Sequence, residues 1–322
     1  MNEERNIYRR PSSRASHRSS LKDWFQLLRV PNLLTVPGDP VAGALLASAG
    51  QGITVERVLL VAMASVGLYG AGLLMNDVVD VEIDKKERPG RPIASGVVSR
   101  SMATLLAVAL GVIGLVFCMV AGPQAGVVGL CLAAAIMLYN GLLKGVPVLG
   151  ALTMGACRAL NVLLGAVLVT GGLSSRLVIA AALIMLAYIA CVTLLAAHET
   201  EGEPPSALMW TPATVLVLGM LVFAYLAPLP GQRDMLILIA LIVLTSARGF
   251  VSALRPQRGR GYRRAGSSTM PIVIGSLISN VMFAQATFAF GSGAGTDGLI
   301  VAVALIGLWV ANRLLTTKFY AS

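Results

Sequence analysis

Charge is scarce in this sequence. Of its 322 residues only 12% are Asp, Glu, Lys or Arg, about half the share that a soluble domain carries, so an ordinary water-facing globule is excluded. Histidine is nearly missing: there are two, His17 in the N-terminal stretch and His198 at the end of an apolar run, where a lone imidazole reads more simply as an interfacial polar group than as a metal ligand or base. The four cysteines, Cys118, Cys131, Cys157 and Cys191, lie inside apolar segments without CxxC spacing, so neither a disulfide frame nor a thiolate metal site is indicated. No apolar h-region directly follows the arginines of the first 20 residues, which argues against a cleavable secretory signal.

Apolar residues are what the chain has most of, at 56% with a mean hydropathy of +0.79. They come in stretches near 20 residues, the length of helix that crosses about 30 Å of hydrocarbon. Ten such stretches are predicted, at 33–51, 55–77, 102–121, 123–142, 147–170, 176–198, 208–228, 234–253, 270–290 and 295–315. The expected fold is therefore an all-α, polytopic transmembrane helical bundle. Before it, residues 1–20 read as a disordered basic tail against anionic lipid, and Leu21, Trp24, Phe25, Leu27 and Leu28 recur at the spacing of an interfacial amphipathic helix.

The net charge of +10 does not point to nucleic acid, because the basic residues collect between spans. With the N-terminus placed in the cytoplasm, 20 of the 25 Lys and Arg residues fall on that side, as the positive-inside rule requires. The run from Arg258 to Arg264, which resembles an RNA-binding RG patch, is explained the same way. Gly67, Gly70 and Gly72 read as helix contacts rather than phosphate binders, and the 13 methionines as packing.

The 15 acidic residues are not scattered. Asp77, Asp80, Glu82, Asp84 and Glu87 close the second span; Glu199, Glu201 and Glu203 close the sixth, on the same side of the membrane. At about 100° per residue, Asp77, Asp80 and Asp84 share one helical stripe and Glu82 points away. Glu199 and Glu203 are one turn apart, just before Pro204 and Pro205 end the helix. Hard carboxylate oxygens with room for water and phosphate suit Mg²⁺, and the same spacing also fits a solvated loop paired with Lys85, Lys86, Arg88 and Arg91.

Residue order adds to this. The run Asn76-Asp77-Val78-Val79-Asp80-Val81-Glu82-Ile83-Asp84, followed by Arg88-Pro89-Gly90-Arg91-Pro92-Ile93-Ala94-Ser95-Gly96, resembles the first signature of the UbiA superfamily of intramembrane prenyltransferases, NDxxDxxxD then RPxRPIxSG. Arg29-Val30-Pro31-Asn32 and Tyr139-Asn140-Gly141-Leu142-Leu143-Lys144 resemble further pieces of that family in the right order. The resemblance runs from about residue 21 onward. It implies that residues 21–322 form one transmembrane prenyltransferase domain, a bundle of nine to ten spans around a central cavity.

The resemblance also implies a chemistry. Mg²⁺ held between the two acidic motifs would grip an isoprenoid diphosphate, whose allylic C–O bond ionises before an acceptor captures the cation. Asp77, Asp80 and Asp84 with Glu199 and Glu203 would be the metal ligands. Asn76, Arg29, Asn32, Arg88, Arg91, Lys144 and Tyr139 would line the diphosphate and substrate site, Lys144 together with the aspartates as catalytic residues. The second motif departs from the family's DxxxD, with glutamates in its place and no Lys or Arg before Arg233.

Arg158 lies 11 residues into the fifth span, on the order of 16 Å deep, and a charge there is a functional hypothesis by default. With Asn161 on the same face, it reads either as an acceptor contact or as a buried pair with backbone carbonyls or a cytoplasmic carboxylate. The stretch Cys157 to Gly165 resembles a UbiA-like subgroup encoded in the bacterial ebo cluster, linked to moving small metabolites across the membrane. Two functions follow. One is Mg²⁺-dependent prenyl transfer to a small or lipophilic acceptor; the alternative is a UbiA-like protein that carries or exports a small metabolite. Both imply an integral protein of a bacterial inner membrane with a cytoplasmic N-terminus, with lipid as a partner and no nucleic acid; prenyl transfer adds an isoprenoid diphosphate and an unidentified acceptor.

Overall fold

The computed structural model describes residues 19–51, 53–197, 206–228, 231–258 and 270–318. The predicted tail up to residue 18 and the acidic segment that carries Glu199, Glu201 and Glu203 lie outside the described residues. Each of the ten predicted spans coincides with a helix. Eight of them are long and apolar enough to cross a membrane: α4 (Val55–Val79), α6 (Arg100–Ala121), α7 (Pro123–Leu138, continued as a π turn over Tyr139–Leu143), α8 (Pro147–Ala166), α9 (Arg176–Ala197), α10 (Ser206–Leu226), α12 (Met270–Phe290) and α13 (Thr296–Lys318). The other two are α3 (Gly38–Ser48) and α11 (Gln232–Arg258).

Short helices fill in the loop end of the bundle. The amphipathic segment forms α1 (Leu21–Leu27), opened by a reciprocal cap between Ser20 and Asp23, the arrangement that satisfies two helix-end donors at once. A single turn, α2 (Val30–Leu33), follows, entered through Arg29 in the left-handed region at φ 44°. Pro37 and Pro40 flank the start of α3, and Ala49 and Gly50, both at positive φ, end it, which is why the first span is short and broken. Between α4 and α6 lies α5 (Val81–Glu87).

Helix α3 sits at the centre because backbone meets backbone there. A Cβ on Gly43 would stand 2.0 Å from the carbonyl oxygen of Val162, and one on Gly165 would stand 1.8 Å from that of Pro40. Small residues permit this approach in a membrane interface, where close packing replaces the hydrophobic drive of water. On one side of α3, a core of Tyr188, Met185, Leu216, Phe223, Leu277 and Phe288 ties α9, α10 and α12 together; on the other, Val61, Leu68, Cys118 and Leu132 join α4, α6 and α7. A third, smaller core of Leu27, Leu74, Val78, Val81, Ile93 and Val98 fixes α1, α5 and the loop after it to the end of α4. That last core positions the signature residues.

Candidate functional site

A cavity of about 530 Å³ runs between the two halves of the bundle. One end, its mouth, is built where α4 gives way to α5. The break falls on Asp80 (φ −80°, ψ 0°), yet hydrogen bonds pass through it, from Asp80 N–H to the Asn76 carbonyl at 3.0 Å and from Asp84 N–H to the Asp80 carbonyl at 2.8 Å. The carboxylate stripe therefore survives the break. Asp77, Asp80 and Asp84 are buried, whereas Glu82 turns outward to Lys85 at 2.8 Å, a partner that holds its carboxyl below the usual range.

Every one of the three buried carboxylates has a cation. Arg29 Nη2 donates to Asp77 Oδ1 at 2.9 Å; Arg91 Nη1 donates to Asp84 Oδ2 at 2.7 Å and reaches Asp77 Oδ1 at 3.4 Å; Lys144 pairs with Asp80 and donates to Asn76 Oδ1 at 2.7 Å. Asn76 in turn spans Asp77 and Asp80, at 3.4 Å to each. Asp80, Asp84 and Asn76 form part of the cavity wall together with Arg29, Arg88, Arg91, Lys144 and, at the rim, Glu87. Asp77 stands behind that wall, its oxygen shared by the two arginines.

Lys144 reaches Asp80 because of the π turn. In an unbroken α-helix, Lys144 would point about 140° away from Tyr139. The turn closes with Lys144 N–H on the Tyr139 carbonyl at 3.0 Å, an extra residue per turn of the kind found at functional sites, and both side chains line the cavity. Asn140 faces the same wall, its amide donating to the Ile136 carbonyl at 3.0 Å.

At the far end of the cavity, its floor, lie Tyr69, Cys157, Arg158 and Asn161. Arg158 is a buried pair: Nη1 donates to Asp39 Oδ2 at 2.6 Å and to the Thr35 carbonyl at 3.2 Å, and Nη2 donates to Thr35 Oγ1 at 2.6 Å. Gln285 closes the network with Nε2 on Asp39 Oδ1 at 2.6 Å and on the Thr35 carbonyl at 2.7 Å. The guanidinium also lies 5.7 Å from the Tyr69 ring centre. Asn161 accepts from Ser65 Oγ at 2.7 Å.

The residues singled out from the sequence thus divide as follows. Asn76, Asp80, Asp84, Arg29, Asn32, Arg88, Arg91, Tyr139, Lys144, Arg158 and Asn161 share one cavity wall; Asp77 backs it; Glu199 and Glu203 lie outside the described residues. Sequence reasoning missed Asp39, Thr35, Gln285 and Tyr69. Asp39 carried a readable signal, an acid inside an apolar segment, which demands a partner by the same argument that marked Arg158.

The donor chemistry of the mouth fits a hard divalent cation. Asp80, Asp84 and Asn76 offer oxygens on the wall, as Mg²⁺ prefers when it keeps water and phosphate ligands. Among the described residues no three carboxylate, histidine or cysteine side chains converge closely enough to enclose an ion by themselves. An ion held there would need further oxygens from water or a ligand.

Comparison with known proteins places this geometry. The sequence pattern of the UbiA prenyltransferase family matches residues 40–258. The chain is similar to digeranylgeranylglyceryl phosphate synthases of Saccharolobus solfataricus, 35% identical over 147 residues, and Sulfurisphaera tokodaii, 30% identical over 146 residues. Each match takes 45% of this chain and 51% and 52% of the relative, so the chain spans about half the length of the curated relatives it matches. Among solved structures, a UbiA homologue from Archaeoglobus fulgidus bound to DMAPP and Mg²⁺ superposes with a TM-score of 0.59 at 14% identity, over 90% of this chain and 98% of that one. A digeranylgeranylglyceryl phosphate synthase structure gives 0.57 at 21% identity, over 85% and 98%. These likenesses establish the fold, and with the family match they make the chain an integral, multi-pass membrane protein that belongs to the UbiA prenyltransferase family.

Proposed function

We propose that this protein transfers the prenyl group of an isoprenoid diphosphate to a small or lipophilic acceptor within the membrane, with Mg²⁺ as cofactor. The observation that carries the reading is the mouth itself: four cations and four carboxylates on the wall or directly behind it close one end of a cavity whose middle is apolar. Such a mouth is near electrical balance, so a diphosphate entering it needs further positive charge. Asp80, Asp84 and Asn76 would hold Mg²⁺, joined by Glu199 and Glu203 from the second acidic motif; when bound, the ion neutralises the diphosphate oxygens as a Lewis acid.

The chain's own residues do the rest. Arg29, Arg88, Arg91 and Lys144 donate to phosphate oxygens, trading their carboxylate partners for the ligand. Stabilising that departing charge in a site shielded from water favours heterolysis of the allylic C–O bond, the electron pair leaving with the diphosphate. The Tyr139 ring, which lines the cavity, would offer π density to the resulting allylic cation, and the apolar wall keeps water from it. A lone pair of the acceptor then forms the new bond to the allylic carbon, and the acceptor's proton passes to a diphosphate oxygen or to water. Asn32 lies at the same end, within reach of the diphosphate or acceptor.

Residues 21–322 act in this reading as one transmembrane unit behind a basic tail. The positive-inside count supports a cytoplasmic N-terminus and mouth, hence uptake of a water-soluble diphosphate from the cytoplasm of a bacterial inner membrane; no role for nucleic acid is proposed. The test is to incubate purified protein in lipid nanodiscs with Mg²⁺ and labelled isoprenoid diphosphate. Metal-dependent release of diphosphate, lost on Asp80→Ala and Asp77→Ala, is expected. Competent protein that binds no isoprenoid diphosphate would instead be a carrier built on the same fold.

A further inference from the structure

The cavity has three levels, fixed by the pairing of α4 with α8. These helices run antiparallel, with Asp80 beside Lys144 at the mouth, Tyr69 beside Arg158, and Ser65 bonded to Asn161 deepest. Tyr69 is 11 residues from Asp80 along α4, about 16 Å at 1.5 Å per residue. Between these levels the wall is mainly apolar, with Leu73, Met154, Ile189 and Ile278. Helices α9 and α12 leave the lining at Ile189 and Ile278; Gln285, seven residues further along α12, already bonds Asp39 at the Arg158 level.

Two facts set the character of the floor. First, it carries no free charge, since Asp39, wholly buried, cancels Arg158, while Thr35 accepts from both Nη atoms of the arginine and Gln285 donates to the second oxygen of Asp39. Second, it carries unmatched polar atoms. Asn161 is 2% exposed, its oxygen is used by Ser65, and its amide nitrogen has no hydrogen-bond partner among the described residues while the residue lines the cavity. The Tyr69 hydroxyl is in the same position.

We infer that Tyr69, beside the neutralised Arg158, and Asn161, beneath it, form a polar floor that sets the longest isoprenoid chain the cavity accepts. An alkyl chain pressed against an amide and a hydroxyl strips them of water without replacing its hydrogen bonds, a cost per group on the order of tenfold or more in affinity. A chain that ends within the apolar belt loses nothing. The inference rests on the reading of the mouth as a diphosphate site and adds to it a specificity-determining pair.

The experiment measures binding of inorganic pyrophosphate and of geranyl, farnesyl and geranylgeranyl diphosphates, each with Mg²⁺, to full-length protein in nanodiscs. The variants are Tyr69→Phe, Asn161→Leu and the double Ser65→Ala/Asn161→Leu, the last of which leaves no orphaned hydroxyl. In the wild type, affinity should stop rising, or fall, at the longer chains. In the variants, the ratio of longest-chain to shortest-chain affinity should rise roughly tenfold, with pyrophosphate binding unchanged as proof of an intact mouth. A wild-type affinity that climbs steadily with chain length, or a ratio unmoved in the double variant, overturns the floor and leaves the diphosphate site standing. Failure of pyrophosphate and all three chains to bind takes down the diphosphate reading, and the floor falls with it.

Discussion

The two ends of the cavity use the same chemistry, guanidinium or ammonium against carboxylate, for opposite purposes. At the mouth, two of the three cationic partners keep clear contact with solvent: the side chains of Lys144 and Arg29 are 33% and 22% exposed, and that of Arg91 12%. At the floor, Arg158 is 5% exposed and Asp39 not at all. A pair with one partner still partly hydrated costs less to separate than a dry one, which suits the mouth to the exchange of partners proposed above. A dry pair cannot be opened without stranding a charge, so the floor locks α3 to α8. Accessibility, not residue type, separates a site from a strut.

The sharpest way to break that contrast is to remove one member of the dry pair. Asp39→Ala should destabilise the protein by about 3–5 kcal/mol, because Arg158 is left charged and buried without compensation. The check is the midpoint of thermal unfolding in detergent, followed by size exclusion. The double variant Asp39→Leu/Arg158→Met should recover most of the loss, since replacing both partners by apolar groups is often close to neutral. If Asp39→Ala unfolds at the wild-type temperature, the pair is not the strut described.

The mouth should respond the other way round. Asp80→Asn should shift stability by no more than about 1 kcal/mol, because the partly exposed Lys144 can turn to water, and both Asp80→Asn and Lys144→Ala should lower diphosphate release about 10²–10³-fold, the usual loss when a group that stabilises developing charge is removed.

How much of this was legible in the sequence follows the same division. Spans were readable because a membrane leaves helices few alternatives, and the carboxylate stripe because helical periodicity survives the break at Asp80. The partner of Arg158 was not, because it lies 119 residues away on α3, and only the backbone contact at Gly43 and Gly165 brings the two helices into register. The π turn was equally hidden: an inserted residue changes direction without changing composition. Asp77 could be picked out as acidic, yet its place behind the wall, holding Arg29 and Arg91, needed the packing of α1 and the loop after α5 onto α4.

The smallest effect belongs to the one acid of the first motif that faces away. Glu82 is exposed and paired with Lys85 three residues on, and that pairing lowers its pKa. A carboxylate with a lowered folded-state pKa contributes its stability above the unfolded pKa, about 4.3 for Glu, and loses it only as pH falls through the still lower folded value. Glu82→Gln should therefore leave turnover within about twofold of wild type, as a surface pair contributes little, and should leave the pH profile unchanged above pH ~5. Glu82 stands two residues from both Asp80 and Asp84, so the variant removes one negative charge from the motif without touching the cavity wall. A drop as large as that of Asp80→Asn would mean that the motif works through its summed charge, whereas an unchanged rate assigns the effect to the residues that line the wall.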